Sequence, residues 1–162
     1  MTSRIVALTK YLELQPHPEG GFYKEVYRSE ELLHSPEFDQ SRNLLTSIYF
    51  LITSGSFSSF HRIASDELWY YHEGSRCNIH VLHREGGYTK IMLGKDVEAQ
   101  EQFQAIVRAG DWFASETNGE YSLVGCSVSP GFDFRDFELA NRHKLILMYP
   151  DHLELIERLS RL

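Results

Sequence analysis

Residues 55–74 read GSFSSFHRIASDELWYYHEG, with the spacing Gly-x5-His-x-Ile-x3-Glu-x6-Gly. The stretch predicts a strand carrying His61. A short turn at 64–66 and a second strand over 67–71 follow, and Glu73-Gly74 closes the unit. The simplest reading is a hairpin with a polar pair inside. In a regular strand residues 57, 59, 61 and 63 share a face, so His61 projects inward with Phe57 and Ile63. Glu67 would then reach the imidazole from the paired strand, with Trp69 and Tyr71 further along the same face and Asp66 turned outward.

The flanking sequence extends this pattern. Apolar runs at 44–53, 57–63, 67–72, 78–84, 88–93, 103–107, 111–115 and 121–129 are separated by turns rich in Gly, Ser, Asn or Asp. Short strands at this spacing predict an antiparallel sandwich or barrel. No helix-length segment lies between them to carry a parallel crossover. Glu85-Gly86-Gly87 is the clearest hairpin turn. A strand is also expected over 22–28, and the charged and aromatic alternation of 132–138 reads as an extended edge over the barrel mouth or a dimer contact. Helices bracket the β core: an amphipathic one over 3–14, capped by Ser3 or Thr2, and two more over 139–149 and 153–162, with Asp151 and Glu154 spaced as a capping box.

Composition bounds the function. The 162 residues suit one domain spanning 1–162, and 42% hydrophobic content with 13% aromatics supports a packed core. A net charge of −7 with scattered Lys and Arg argues against nucleic acid as a partner. No apolar run approaches the roughly 18 residues of a membrane span. Cys77 and Cys126 lie in strand-like contexts without a CxxC motif, so both are expected reduced and buried. A cytoplasmic location follows as the default expectation.

The spacing of residues 55–74 resembles the first motif of the cupin superfamily, and Arg108-Ala109-Gly110-Asp111-Trp112-Phe113 resembles the second. More narrowly, HPEGGFYKEVYRS, HRIASDELWYYHEG, AGDWFAS and LVGCSVSPGFDFRDFELA together resemble the Cupin_5 family. That resemblance implies a mainly β, cupin-type double-stranded β-helix (a jelly-roll barrel) with an N-terminal helix and two C-terminal helices, and a homodimer. Metal-binding cupins carry further histidines where this chain has Ile63 and Phe113, so the resemblance leaves only His61 and Glu67 of four ligands. Two donors fall short of the usual three protein ligands, and no metal cofactor is expected. A divalent ion shared by His61, Glu67 and His80 is the competing reading, with His72 or His83 as substitutes if a bulge alters the register.

A metal-free interior lined by His61, Glu67, Tyr71, Trp69, Trp112 and Phe113 would bind a small organic molecule. His80 and Gln104 are further candidate ligand contacts. An imidazole oriented by a carboxylate can act as general base. This outline is similar to that of the sugar-nucleotide epimerases, metal-free cupins, and implies His61 as base, Glu67 as its orienter and Tyr71, Tyr49 or Tyr121 as acid. Two other readings stand beside it: a metal-dependent enzyme, and a noncatalytic binding or sensory module. A plainer account makes His61 a satisfied core histidine with Glu67 as its structural partner.

Overall fold

The computed structural model describes residues 3–161; Thr2 and Leu162, which the sequence reading places at helix ends, lie outside them. Helix α1 (Ser3–Tyr11) precedes strands β1 (Gln15–Pro16), β2 (Phe22–Arg28), β3 (Leu32–Leu33), β4 (Arg42–Asn43), β5 (Thr46–Thr53), β6 (Phe57–Arg62) and β7 (Asp66–Gly74). Strands β8 (Cys77–Leu82), β9 (Tyr88–Leu93), β10 (Gln104–Val107), β11 (Trp112–Thr117), β12 (Tyr121–Ser129) and β13 (Glu138–Leu139) follow, then helices α2 (Arg142–Met148) and α3 (Leu153–Arg158). One antiparallel sheet has the order β1-β2-β5-β12-β7-β10 and the other β13-β6-β11-β8-β9. The architecture is the expected mainly β jelly roll with helices at its flanks.

Three apolar layers follow from strand alternation. Phe50, Ile52, Trp69, Ile79, Phe113 and Val124 point between the sheets and form the interior. Their neighbours Leu51 and Leu123 point the other way and meet Ile5 and Leu8 of α1. On the far side Phe60, Leu82, Trp112 and Ala114 meet Leu145, Ile156 and Leu159 of the C-terminal helices. The central strands of each sheet therefore bury both faces, the helices covering the outer ones, while the edge strand β10 leaves one face exposed.

The structure corrects four local expectations. Strands β6 and β7 do not pair: β6 runs between β11 and β13, while β7 runs between β12 and β10 in the facing sheet. The turn at 64–66 is thus a crossover between sheets, which apolar alternation alone cannot distinguish from a hairpin. The face assignment within β6 also changes, because Ser115 pairs with Ser58 whereas Phe113 pairs with His61. One extra residue, a β-bulge, sends Phe57 and Phe60 outward together and Ser58 and His61 inward. Residues 132–138 hold a 3-10 turn at Phe134–Asp136 before the short strand β13, rather than one extended edge. Finally, His152 precedes α3 at the cap position and makes no side-chain cap bond, so the Asp151–Glu154 capping box is not made. The Glu85-Gly86-Gly87 hairpin forms between β8 and β9, with Gly86 and Gly87 both at positive φ.

Candidate functional site

The bulge in β6 builds the site. Its extra amide, Ser59 N–H, donates to the backbone carbonyl of Glu19 at 2.9 Å and so docks the loop before β2 onto the strand. Ser58 Oγ donates to Glu19 Oε1 at 2.8 Å. His61 places Nε2 3.1 Å from Glu19 Oε2 and Nδ1 2.7 Å from the Ser59 carbonyl. Since a carbonyl only accepts, Nδ1 carries hydrogen, and a neutral ring then offers its Nε2 lone pair to Glu19. His17 Nδ1 accepts the Glu19 amide at 3.3 Å and lies 3.5 Å from Glu19 Oε2. The loop needs Gly20-Gly21, both at positive φ, to turn this tightly.

His17, Glu19 and His61 line a cavity of about 290 Å³. Glu67 and Trp69 enter from the facing sheet, Ile48 and Phe50 form an apolar wall, and Phe132 and Phe134 lie at its margin. Aromatic packing continues from Phe134 to Phe137, whose ring centroid is 5.3 Å from that of His61. A bidentate pair between buried Arg42 and Asp136, at 2.6 and 2.7 Å, fixes this aromatic segment.

Burial sets the protonation states. Desolvation pushes His61 down to about 4, against the favourable Ser59 carbonyl. It raises the Glu19 carboxyl, although His17, Ser58 and Arg161 each pull the other way. Glu67 rises to about 8, first through desolvation and then through the nearby Glu19 charge, with Cys126 and Trp69 offsetting part of this. The Trp69 indole N–H lies beside that carboxyl but makes no hydrogen bond of normal geometry. Burial therefore holds Glu67 toward its neutral form, and the 3.1 Å contact between His61 Nε2 and Glu19 Oε2 has room for one proton shared between them. The Cys126 thiol, against Glu67, is pushed well up by burial, which leaves it unreactive.

Of the residues singled out from sequence, His61, Glu67 and Trp69 meet in this cavity. Phe113 sits behind it, its ring 4.1 Å from that of His61. The others lie elsewhere. His80 faces outward beneath the C-terminal helices, bonded to Tyr88 at 2.7 Å and Glu116 at 3.1 Å. Trp112 shares that outer face, 4.5 Å from the Arg62 guanidinium. Gln104 is exposed on the edge strand β10. Tyr71 packs against the interior cluster and spends its hydroxyl on the Gly74 carbonyl at 2.7 Å. Tyr121 donates to Glu73, and Tyr49 packs on His72 outside the barrel. The expected His61–Glu67 bond is replaced by His61–Glu19, because the two strands belong to different sheets. The sequence reading missed His17, Glu19, Tyr23 and Ser58; its one signal was the polar pair ahead of Gly20-Gly21 in HPEGG.

The donor set does not suit a cupin-type ion. His80 points away from His61 and Glu67, His83 is bonded to Asp111, and His72 lies beside α1. Both His61 nitrogens already face oxygen partners, and Ile63 and Phe113 are apolar. Among the described residues no group of three or more His, Cys, Asp or Glu side chains is disposed to hold a metal. Nor, among them, is any helix long and apolar enough to cross a membrane.

Comparison with known proteins agrees with the fold. The chain is similar over its full length, and that of its counterpart, to a hypothetical protein from Leishmania major, at 37% identity and a TM-score of 0.91. It is 46% identical to a structural-genomics protein from Shewanella oneidensis, over 96% of each chain with a TM-score of 0.87. Bacillus subtilis oxalate decarboxylase shares 12% identity over 90% of this chain and 37% of its own, at a TM-score of 0.57, which is a likeness of fold alone. Among curated proteins none matches. The family profile described as Cupin superfamily (DUF985), Cupin_5, matches residues 7–140, and the chain belongs to that family.

Proposed function

We propose that this protein binds a small organic molecule in the barrel cavity and moves a proton at one of its carbons, in the manner of a metal-independent isomerase or epimerase. The observation that carries this reading is the buried contact of His61 Nε2 with Glu19 Oε2 at 3.1 Å, on the wall of a cavity that also holds an unpaired Glu67. Structural polar pairs are normally sealed in the core; this one borders space sized for a ligand. Two acid–base units of different character then serve the two ends of a proton transfer. His61 and Glu67 remain the catalytic candidates, Glu67 as a separate acid instead of the orienter of His61, while Glu19 takes the orienting place and Tyr71, its hydroxyl bonded to Gly74, drops out.

The test is hydrogen exchange at carbon. Protein incubated with sugars and keto compounds in D2O, with a chelator present, should introduce deuterium next to the carbonyl above the uncatalysed background. Binding without exchange would favour a noncatalytic module, and exchange abolished by the chelator would favour a metal enzyme.

The same reading includes a homodimer and a cytoplasmic location. Exposed Phe103 and Ile106 at the β10 edge support the first, and light scattering over a range of concentrations tests it. Free, buried Cys77 and Cys126 support the second.

A further inference from the structure

We propose, building on the reading above, that Glu19 exchanges the proton with the substrate, His61 stores it, Glu67 donates a second proton to the substrate oxygen, and the substrate is an uncharged α-hydroxy carbonyl compound of about monosaccharide size. The assignment inverts the usual order of base and orienter, and the reason is geometric. Both nitrogens of His61 are occupied, one by the Ser59 carbonyl and one by Glu19, so no lone pair of the ring is turned to the cavity. Glu19 lines the cavity beside the imidazole, its carboxylate held by Ser58 Oγ and its backbone amide by His17 Nδ1. If a proton arrives at Glu19, the shared proton passes to His61 Nε2. The resulting imidazolium finds both N–H groups already provided with oxygen acceptors at 2.7 and 3.1 Å. Nothing has to reorganise to receive the charge.

Glu67 completes the exchange from the facing sheet. It is 8% exposed, lines the same cavity and, among the described residues, forms no ion pair. In the first half-reaction the carbon bearing the hydroxyl gives its proton to Glu19, and the C–H electron pair becomes the C=C bond of an enediol. The carbonyl π pair takes the Glu67 proton. Glu67 is left as a carboxylate while the Glu19–His61 unit has gained one positive charge, so the cavity remains neutral in total. In the second half-reaction the other enediol hydroxyl returns a proton to Glu67 and becomes a carbonyl, while the C=C pair takes a proton from Glu19 at the neighbouring carbon. Each group recovers its starting state, and no oxidant or reductant is consumed.

The substrate class follows from the lining. Among the described residues Arg28 is the one guanidinium there, and it is already held by two Glu25 oxygens, Asn43 Oδ1 and the Phe132 carbonyl. Among the described residues that line the cavity no cation is left over for a phosphate or carboxylate; Arg161, whose charge acts on Glu19, is not one of them. Apolar Ile48, Phe50 and Ile63 match the C–H face of a small polyol carbonyl.

The experiment measures deuterium incorporation by proton NMR with dihydroxyacetone, D-ribose, D-xylose and D-ribulose in D2O, alongside their phosphate esters. Trp69 fluorescence follows binding. The expected result is exchange by the wild type on a neutral compound, lost by roughly 100-fold or more in Glu19→Gln with binding kept within about fivefold. His61→Gln should also lose exchange, and Glu67→Gln should slow it. Should Glu19→Gln not fold, Glu19→Asp is read instead, with at least a tenfold loss expected. Wild-type rates in Glu19→Gln beside an inactive His61→Gln would overturn the role assignment and leave the proposed function standing. Exchange confined to the phosphate esters would overturn the substrate class. No exchange on any probe would overturn both proposals.

Discussion

Glu19 Oε2 lies 3.1 Å from His61 Nε2, although the two residues come from different elements: a glycine-bounded loop before β2 and the bulged strand β6. The bulge explains how they meet. Its free amide binds the Glu19 backbone, and its change of face turns Ser58 and His61 to the same side. Backbone docking and side-chain chemistry thus depend on one inserted residue.

Histidine position should separate function from mere surface presence. His61→Ala removes a buried wall residue, while His34 is exposed and bonded to Ser41. Occupancy by any copurified small molecule, read by native mass spectrometry, should fall by roughly tenfold in His61→Ala, about 1.4 kcal/mol. His34→Ala should leave it unchanged. Equal losses would count against the cavity as the binding site.

The loop that carries Glu19 depends on Gly20. Its φ is +112°, and a Cβ there would stand 2.1 Å from the Phe57 backbone oxygen, which cannot swing aside. Gly20→Ala should cost roughly 2–4 kcal/mol and displace Glu19. Gly86, at φ +95° with open space around it, isolates the conformational part of that cost. Gly86→Ala should lose only about 1–2 kcal/mol, and denaturant unfolding of both variants makes the comparison.

The barrel was legible in the sequence because half-buried strands alternate and turns announce themselves. Phe22, Phe50, Trp69 and Val124 all lie in strands that the periodicity marks. What alternation does not encode is which sheet a strand joins. His61 and Glu67 were therefore paired across an imagined hairpin, and His80 and Trp112 were turned inward by the same rule although their strands bury both faces. Glu19 escaped notice because its partner lies on a distant strand and only a bulge brings the two together. A one-residue insertion leaves no mark in composition or spacing.

Restoring the missing histidines tests the argument about metal. Ile63 is 5% exposed and lines the cavity, and Phe113 packs on the His61 ring. Ile63→His with Phe113→His adds two donors beside His61 and Glu67, enough for a three- or four-ligand site. Zinc content by elemental analysis should rise to about one equivalent in the double variant and fall again when His61→Ala is added. A double variant with no more zinc than the parent would show that these positions do not converge.

Opposite pKa shifts in one cavity give the stability curve two limbs. Glu67 is held near 8 in the fold against 4.5 ordinarily, so its contribution is complete below about pH 4.5 and is lost as pH rises through about 8. His61 is held near 4 against 6.5, so its contribution is present above about pH 6.5 and is lost as pH falls through about 4. Between about pH 4.5 and 6.5 the two slopes oppose each other and nearly cancel, which predicts a plateau there. Above it, stability should decline by about 1.4 kcal/mol per pH unit until Glu67 ionises; below it, the His61 slope acts alone. Glu67→Gln should shallow the alkaline decline, leaving the part that the raised Glu19 carboxyl adds, and should be the more stable protein at pH 8, while His61→Gln should shallow the acid limb, leaving the part due to buried His17. Urea unfolding at half-unit steps from pH 4 to 9 measures both. An alkaline slope unchanged in Glu67→Gln would mean that this carboxyl is ionised at neutral pH and contributes nothing to the decline, and the cavity would then lack the proton donor assigned to it.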